Sequence, residues 1–191
     1  MIPTAETVGA NQFLLAMQDD GRLHHSTCDT NIFNSEFGIG NRFEAGVDFD
    51  FDEDADTNAL FNAKYIVYRN SSETSSLALG VNNVGNHLIA SPYAVASQDL
   101  KLLRCHTGII DCDGTPQWLF GIDKDVSSQF NLCADYITGA DNATTIGANY
   151  QFSDVLGIFI GCMSPNPGSD SRAVRFTTLL TFGGSWLKHE K

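Results

Sequence analysis

The chain has no apolar run long enough to cross a membrane as a helix. Its longest, residues 155–160, carries Gly157 and falls far short of the ~20 residues a spanning helix needs. A helical membrane protein is therefore excluded. Positive charge is scarce too. Eleven Lys and Arg stand against 23 Asp and Glu, a formal net charge of -12. Such a chain repels a polyanion, so nucleic acid is not an expected partner, and cations are the natural small ones. Charged residues of both signs make up only 18% of the 191 residues, below the ~25% of a soluble domain. The five cysteines (Cys28, Cys105, Cys112, Cys133 and Cys162) are odd in number and none has CxxC spacing. That excludes the usual zinc and redox motifs and leaves free thiols acting as small hydrophobes. Cys105 and Cys112, read as flanking a hairpin, are the pair that spacing would allow.

Reactive motifs are missing as well. The chain has no Gly-x-Ser-x-Gly, no HExxH and no phosphate-cradling loop. No catalytic residue, metal ligand or cofactor is expected. The N-terminal residues Met1-Ile2-Pro3-Thr4-Ala5-Glu6 have no basic region and no apolar core, so no secretion signal is visible. Either the chain is a mature form with an added Met, or its destination is not the outer membrane.

What the sequence does have is alternation. In Phe43-Glu44-Ala45-Gly46-Val47-Asp48-Phe49-Asp50-Phe51 the apolar side chains occupy every second position, which is the strand signature. The rhythm recurs almost throughout. It predicts about twelve strands (10–12), at residues 10–20, 30–40, 42–52, 59–69, 75–84, 90–98, 101–110, 117–124, 129–138, 143–152, 154–163 and 173–183. Tight turns at 40–41, 98–99, 125–126 and 152–154 alternate with longer polar connections at 52–58, 111–116 and 164–172. Nothing reads as a linker, so residues 1–191 are one domain. The fold class is all-β, an antiparallel up-and-down transmembrane β-barrel.

Three features put the apolar face outside. The alternate face is rich in Gly, Asn and Thr, which suit a crowded lumen better than a wet surface. Aromatics concentrate near strand ends (Phe43, Phe51, Phe61, Tyr93, Trp118, Phe130, Tyr136, Tyr150, Phe152 and Phe182), as interfacial girdles require. The polar face also carries both signs. Glu36, Glu44, Asp48, Asp50, Asp123 and Asp135 share it with Lys64, Arg104, His106 and Arg175, and these ten are the candidate lumen and selectivity residues. Lys64 and Arg104 are expected to pair with Asp48 or Glu36. A soluble sandwich or lipocalin-like barrel is the competing arrangement.

The string Asn34-Ser35-Glu36-Phe37-Gly38-Ile39-Gly40-Asn41-Arg42-Phe43-Glu44-Ala45-Gly46-Val47 resembles a strand-turn-strand of Gram-negative outer-membrane barrels. Phe61-Asn62-Ala63-Lys64-Tyr65, with Leu77-Ala78-Leu79-Gly80-Val81-Asn82-Asn83-Val84-Gly85, is similar to hairpins of barrels associated with exopolysaccharide export. Asp135-Tyr136 and Gly147-Ala148-Asn149-Tyr150-Gln151-Phe152 repeat the style. The resemblance spans about residues 30–183. It implies a porin-like protein of the bacterial outer membrane, with the lipid bilayer and small solutes as partners. Such barrels usually end on an aromatic residue, a role Phe182 would fill, although residues 183–191 follow it.

The excess of carboxylates on the polar face points to passive diffusion of small solutes with a preference for cations. A non-conducting structural or ligand-binding barrel is the alternative, and an outer-membrane lipid hydrolase built on His106 a more distant one. Two weaker patterns are read as unspecialised. Asp52-x-Asp54-x-Asp56 starts like a calcium loop but has Thr57 for the turn glycine and Ala63 for the closing Glu, so it is a solvated acidic loop. His24-His25 with Cys28 is too sparse for a metal site.

Overall fold

A pleated strand separates alternating apolar and polar side chains onto opposite faces. In the computed structural model the described residues are 2–22, 28–51, 58–85, 89–140, 142–168 and 175–182, with the backbone alone for 20–22, 28–30, 58 and 175–182. Among them twelve strands form: β1 (Phe13–Arg22), β2 (Cys28–Ile39), β3 (Phe43–Asp50), β4 (Asn58–Arg69), β5 (Ser75–Val84), β6 (Ser91–Asp99), β7 (Arg104–Cys112), β8 (Thr115–Asp125), β9 (Phe130–Ile137), β10 (Ala143–Ser153), β11 (Leu156–Pro165) and β12 (Arg175–Phe182). Each pairs antiparallel with its neighbours in sequence, and β12 pairs with β1, so the sheet closes into a barrel. Closure leaves no sheet edge unpaired, the condition for a β-structure in hydrocarbon.

The apolar face is outside. Phe13, Met17, Phe37, Leu79, Trp118, Phe120, Ile146 and Ile160 are all exposed, whereas Ala78, Val95, Leu119 and Phe159 on the inner face are sealed at 1% exposure or less. A soluble barrel would reverse this distribution. Strands of 8 to 12 residues also match the length that crosses a bilayer when tilted. The rim where β1 begins and β12 ends carries the connections 40–42, 70–74, 100–103, 126–129 and 154–155; the opposite rim carries the two-residue connection 113–114 and otherwise ones of five residues or more, up to residues 166–174.

The structure departs from the sequence reading in four places. β1 starts at Phe13 rather than residue 10, because residues 9–12 make a turn with Asn11 at φ 59°. The connection at 111–116 is no loop. The strands run on to Cys112 and from Thr115, joined by the two-residue turn Asp113-Gly114 at φ 54° and 74°. Asp-Gly suits the left-handed backbone of such a hairpin turn. Cys105 and Cys112 therefore do not flank a hairpin. They lie near the two ends of β7, about 23 Å apart by strand rise, and both are free thiols. Tyr93 does not join an outer girdle. β6 turns Ser91, Tyr93, Val95 and Ser97 inward, and Tyr93 is buried at 7% exposure.

Candidate functional site

The lumen is not empty. Residues 2–8 belong to no strand; from the turn at 9–12 they run back inside the barrel. Two backbone bonds fix that turn to β2, Asn11 N–H to Gly38 O at 2.9 Å and Gly38 N–H to Gln12 O at 3.0 Å. Gly38 is required there, since a Cβ would fall on the carbonyl oxygens of Val8 and Gly9. Val8, like Cys133, packs against the cluster of Leu14, Ala16 and Phe159. Ile2 and Ala5 pack with Ile66, Ala78, Tyr93, Val95, Ile110 and Leu119. The segment thus bridges the lumen between two apolar clusters.

Polar groups on the wall hold it in transit. Val8 N–H donates to Glu44 Oε2 at 2.6 Å. Ala5 N–H donates to Ser97 Oγ at 3.0 Å. Glu6 Oε1 accepts from Arg104 Nη1 at 2.6 Å. Each of these wall groups also belongs to a cross-strand pair. Glu44 faces Lys64 in the β3–β4 register and binds its Nζ at 2.9 Å. Arg104 faces Asp123 in the β7–β8 register and grips both its oxygens, Nε to Oδ2 at 2.8 Å and Nη2 to Oδ1 at 2.7 Å. Charge-assisted pairs of this bidentate kind fix geometry as well as charge. Ser97 Oγ lies 2.7 Å from His106 Nδ1, and His106 Nε2 lies 2.6 Å from Asp123 Oδ2.

Ser97, His106 and Asp123 have the composition of a hydrolytic relay, and the same serine oxygen also takes a backbone N–H of the N-terminal segment. The Ser97 oxygen that accepts from Ala5 N–H also lies against His106 Nδ1, and His106 Nε2 lies against Asp123. Ser97 and His106 are each 5% exposed, with Ala5 N–H on the serine oxygen.

Beside this packed region a cavity of about 430 Å³ remains. Its wall is amide-rich: Gln18, Asn34, Asn62, Asn82, Asn83, Asn131 and Asn149 line it. Asn62 Nδ2 donates to Asp48 Oδ2 at 2.6 Å, and Asn62 Oδ1 accepts from Asn83 N–H at 3.0 Å. Asn83 sits at φ 61°, next to an irregularity in the β4–β5 register, which brings two successive asparagines to the cavity. Asn131 bridges Asp123 and Asp125 at 3.1 and 2.7 Å and accepts from Asn149 at 3.2 Å. Asn34 Oδ1 is buried and has no protein partner.

Of the ten candidates, the structure brings Glu36, Glu44, Asp48, Lys64, Arg104 and Asp123 to this cavity. His106 and Asp135 lie on inner-face positions but are buried outside its lining. Asp50 ends β3, and Arg175 starts β12 with its side chain outside the described residues. The expected ion pairs change partners. Lys64 binds Glu44 and Arg104 binds Asp123 and Glu6, not Asp48 or Glu36, because cross-strand register and the N-terminal segment decide who meets whom. Sequence reasoning missed Glu6, Ser97 and the asparagines; the period-two pattern had placed Asn34, Asn62, Asn82, Asn131 and Asn149 inside without singling them out. The acidic loop 52–56 and His24-His25 lie outside the described residues. Among the described residues no cluster of His, Cys, Asp and Glu is arranged to hold a metal ion.

No protein-family model and no curated protein matches the chain. Solved structures do. A KdgM porin superposes with a TM-score of 0.66 at 12% identity, over 90% of this chain and 99% of its own. A KdgM porin in complex with disordered oligogalacturonate gives 0.68 at 12%, over 90% and 99%. A NanC porin gives 0.58 at 12%, over 91% and 100%. The chain has the fold of the outer-membrane porins. The superpositions cover nearly the whole of each chain, so the likeness is one of fold around the full barrel, inside which residues 2–8 of this chain lie.

Proposed function

We propose that this porin-fold protein is a narrow outer-membrane channel for passive diffusion of small solutes, with a preference for cations. The apolar outer face and the closed strand ladder support insertion in a bilayer. The observation that carries the cation preference is the charge of the cavity wall. Five carboxylates line it (Glu6, Glu36, Glu44, Asp48 and Asp123) against two cations, Lys64 and Arg104. Both cations are already ion-paired, to Glu44 and to Asp123 with Glu6. Among the described residues Glu36 and Asp48 have no ion-pair partner of their own, so the wall holds more acid than base, and the unpartnered Asn34 carbonyl adds an acceptor. In a wall of low dielectric that favours a cation and disfavours an anion. One porin neighbour is described with oligogalacturonate, an acidic saccharide. Among its described side chains this lumen offers no uncommitted cation for such a ligand.

Reversal potential across a planar bilayer under a KCl gradient tests the reading. A cation-biased potential that shrinks in Asp48→Asn is expected. An anion-biased potential would overturn the preference. Absence of conductance from folded protein under all conditions would favour a structural or ligand-binding barrel, a reading that the filled part of the lumen recommends.

A further inference from the structure

We propose that residues 2–8 are a releasable plug, hinged on the turn 9–12 and seated in a peptide-binding site that the barrel fills with its own chain. The inference rests on the channel reading and adds to it how the bore opens. The segment contributes nothing to barrel closure, which β1 and β12 complete without it. Its departure breaks side-chain contacts and leaves the strand ladder whole. The wall groups that hold it are also satisfied in its absence. Glu44 keeps Lys64, Arg104 keeps Asp123, and Ser97 keeps His106. A wall whose partners stay paired when the segment leaves avoids the cost of stranded buried charges. Its geometry also persists for the segment's return. Its apolar anchors are three small or medium side chains, Ile2 (also against Gly121) and Ala5 on the larger cluster and Val8 on the smaller. The seat therefore fits a short extended peptide with an apolar first residue, two backbone N–H groups three residues apart, and a carboxylate for Arg104.

The test uses the full chain with Glu6→Lys, which turns the attraction to Arg104 into repulsion. Folding is checked by strand content and by the heat-dependent shift of a barrel in a detergent gel. Loss of one charge-assisted hydrogen bond should raise the ratio of open to closed dwell times in single-channel records roughly ten- to a hundredfold. A labelled peptide of residues 2–9 should bind the Glu6→Lys barrel saturably and restore the closed state. Equal dwell times in the two proteins, with conductance present, overturn the plug and leave the channel standing. Saturable peptide binding without conductance overturns the channel and leaves the seat standing. Failure of the peptide to bind either the folded Glu6→Lys barrel or a barrel lacking residues 1–9 overturns the seat.

Discussion

The wall built by β6–β8 and the wall built by β2–β4 come from strands of the same period, yet their inner faces behave differently. β6–β8 turn Tyr93, Val95, Ile110 and Leu119 inward, and the N-terminal segment lies against them. β2–β4 turn Asn34, Glu36, Asp48 and Asn62 inward, and there the lumen stays open. The first wall gains by excluding water; the second would strand its amides and carboxylates if it were packed dry. Alternation dictates that some set of side chains faces in. Their chemistry decides whether that side of the bore is filled.

The largest expected effect comes from the ion cluster at the edge of the packed wall. Arg104→Met strips Asp123 and Glu6 of their counter-charge in a site where the arginine side chain is 11% exposed. Breaking a buried pair from one side costs ~3–5 kcal/mol, to be read from urea unfolding in lipid vesicles. A loss under ~1 kcal/mol would show that water solvates the cluster and that the two walls are alike. Leu119→Ala, at 0% exposure in the apolar cluster of that wall, should cost ~2–5 kcal/mol by leaving a cavity. Retained stability there would mean the packed wall is loose.

The comparison extends to the outer face. Leu79→Lys, on a side chain 49% exposed and turned outward, should cost ~2–4 kcal/mol in a bilayer. Asn82→Lys, three positions on and lining the cavity, should cost less. Equal tolerance, or a folded monomer in plain buffer, would remove the membrane reading. The smallest effect belongs to the open wall. Asn82→Ala deletes an amide that borders the cavity and should change stability by no more than ~0.5 kcal/mol. A loss comparable to that of Leu119→Ala would show the cavity to be a packed polar core.

Much of the barrel was legible in the residues. The twelve strands are where the alternation puts them, and Phe37, Leu79, Trp118 and Phe152 face outward as the period requires. Tyr93 was misplaced because an aromatic near a strand end fits a girdle by type, whereas its parity with Val95 and Ser97 turns it inward. Tyr68 is exposed alongside Tyr65 because the β4–β5 register shifts between Ile66 and Tyr68. Residues 2–9 carry no alternation, and so they gave no strand signal and no hint of a lumen role.

Sequence by itself determined the properties that live within one strand: the period, the sidedness and the acidic excess. Each is local, set by the pleat and by the side chains a few residues apart. Only the tertiary structure decided that Glu44 meets Lys64, that Arg104 meets Asp123, and that Glu6 arrives from 98 positions away to join them. Those meetings depend on register between strands and on barrel closure, and no short window of sequence encodes them. The same is true of the bore. Whether it is open or filled depends on where a non-periodic segment finds an apolar wall to cover.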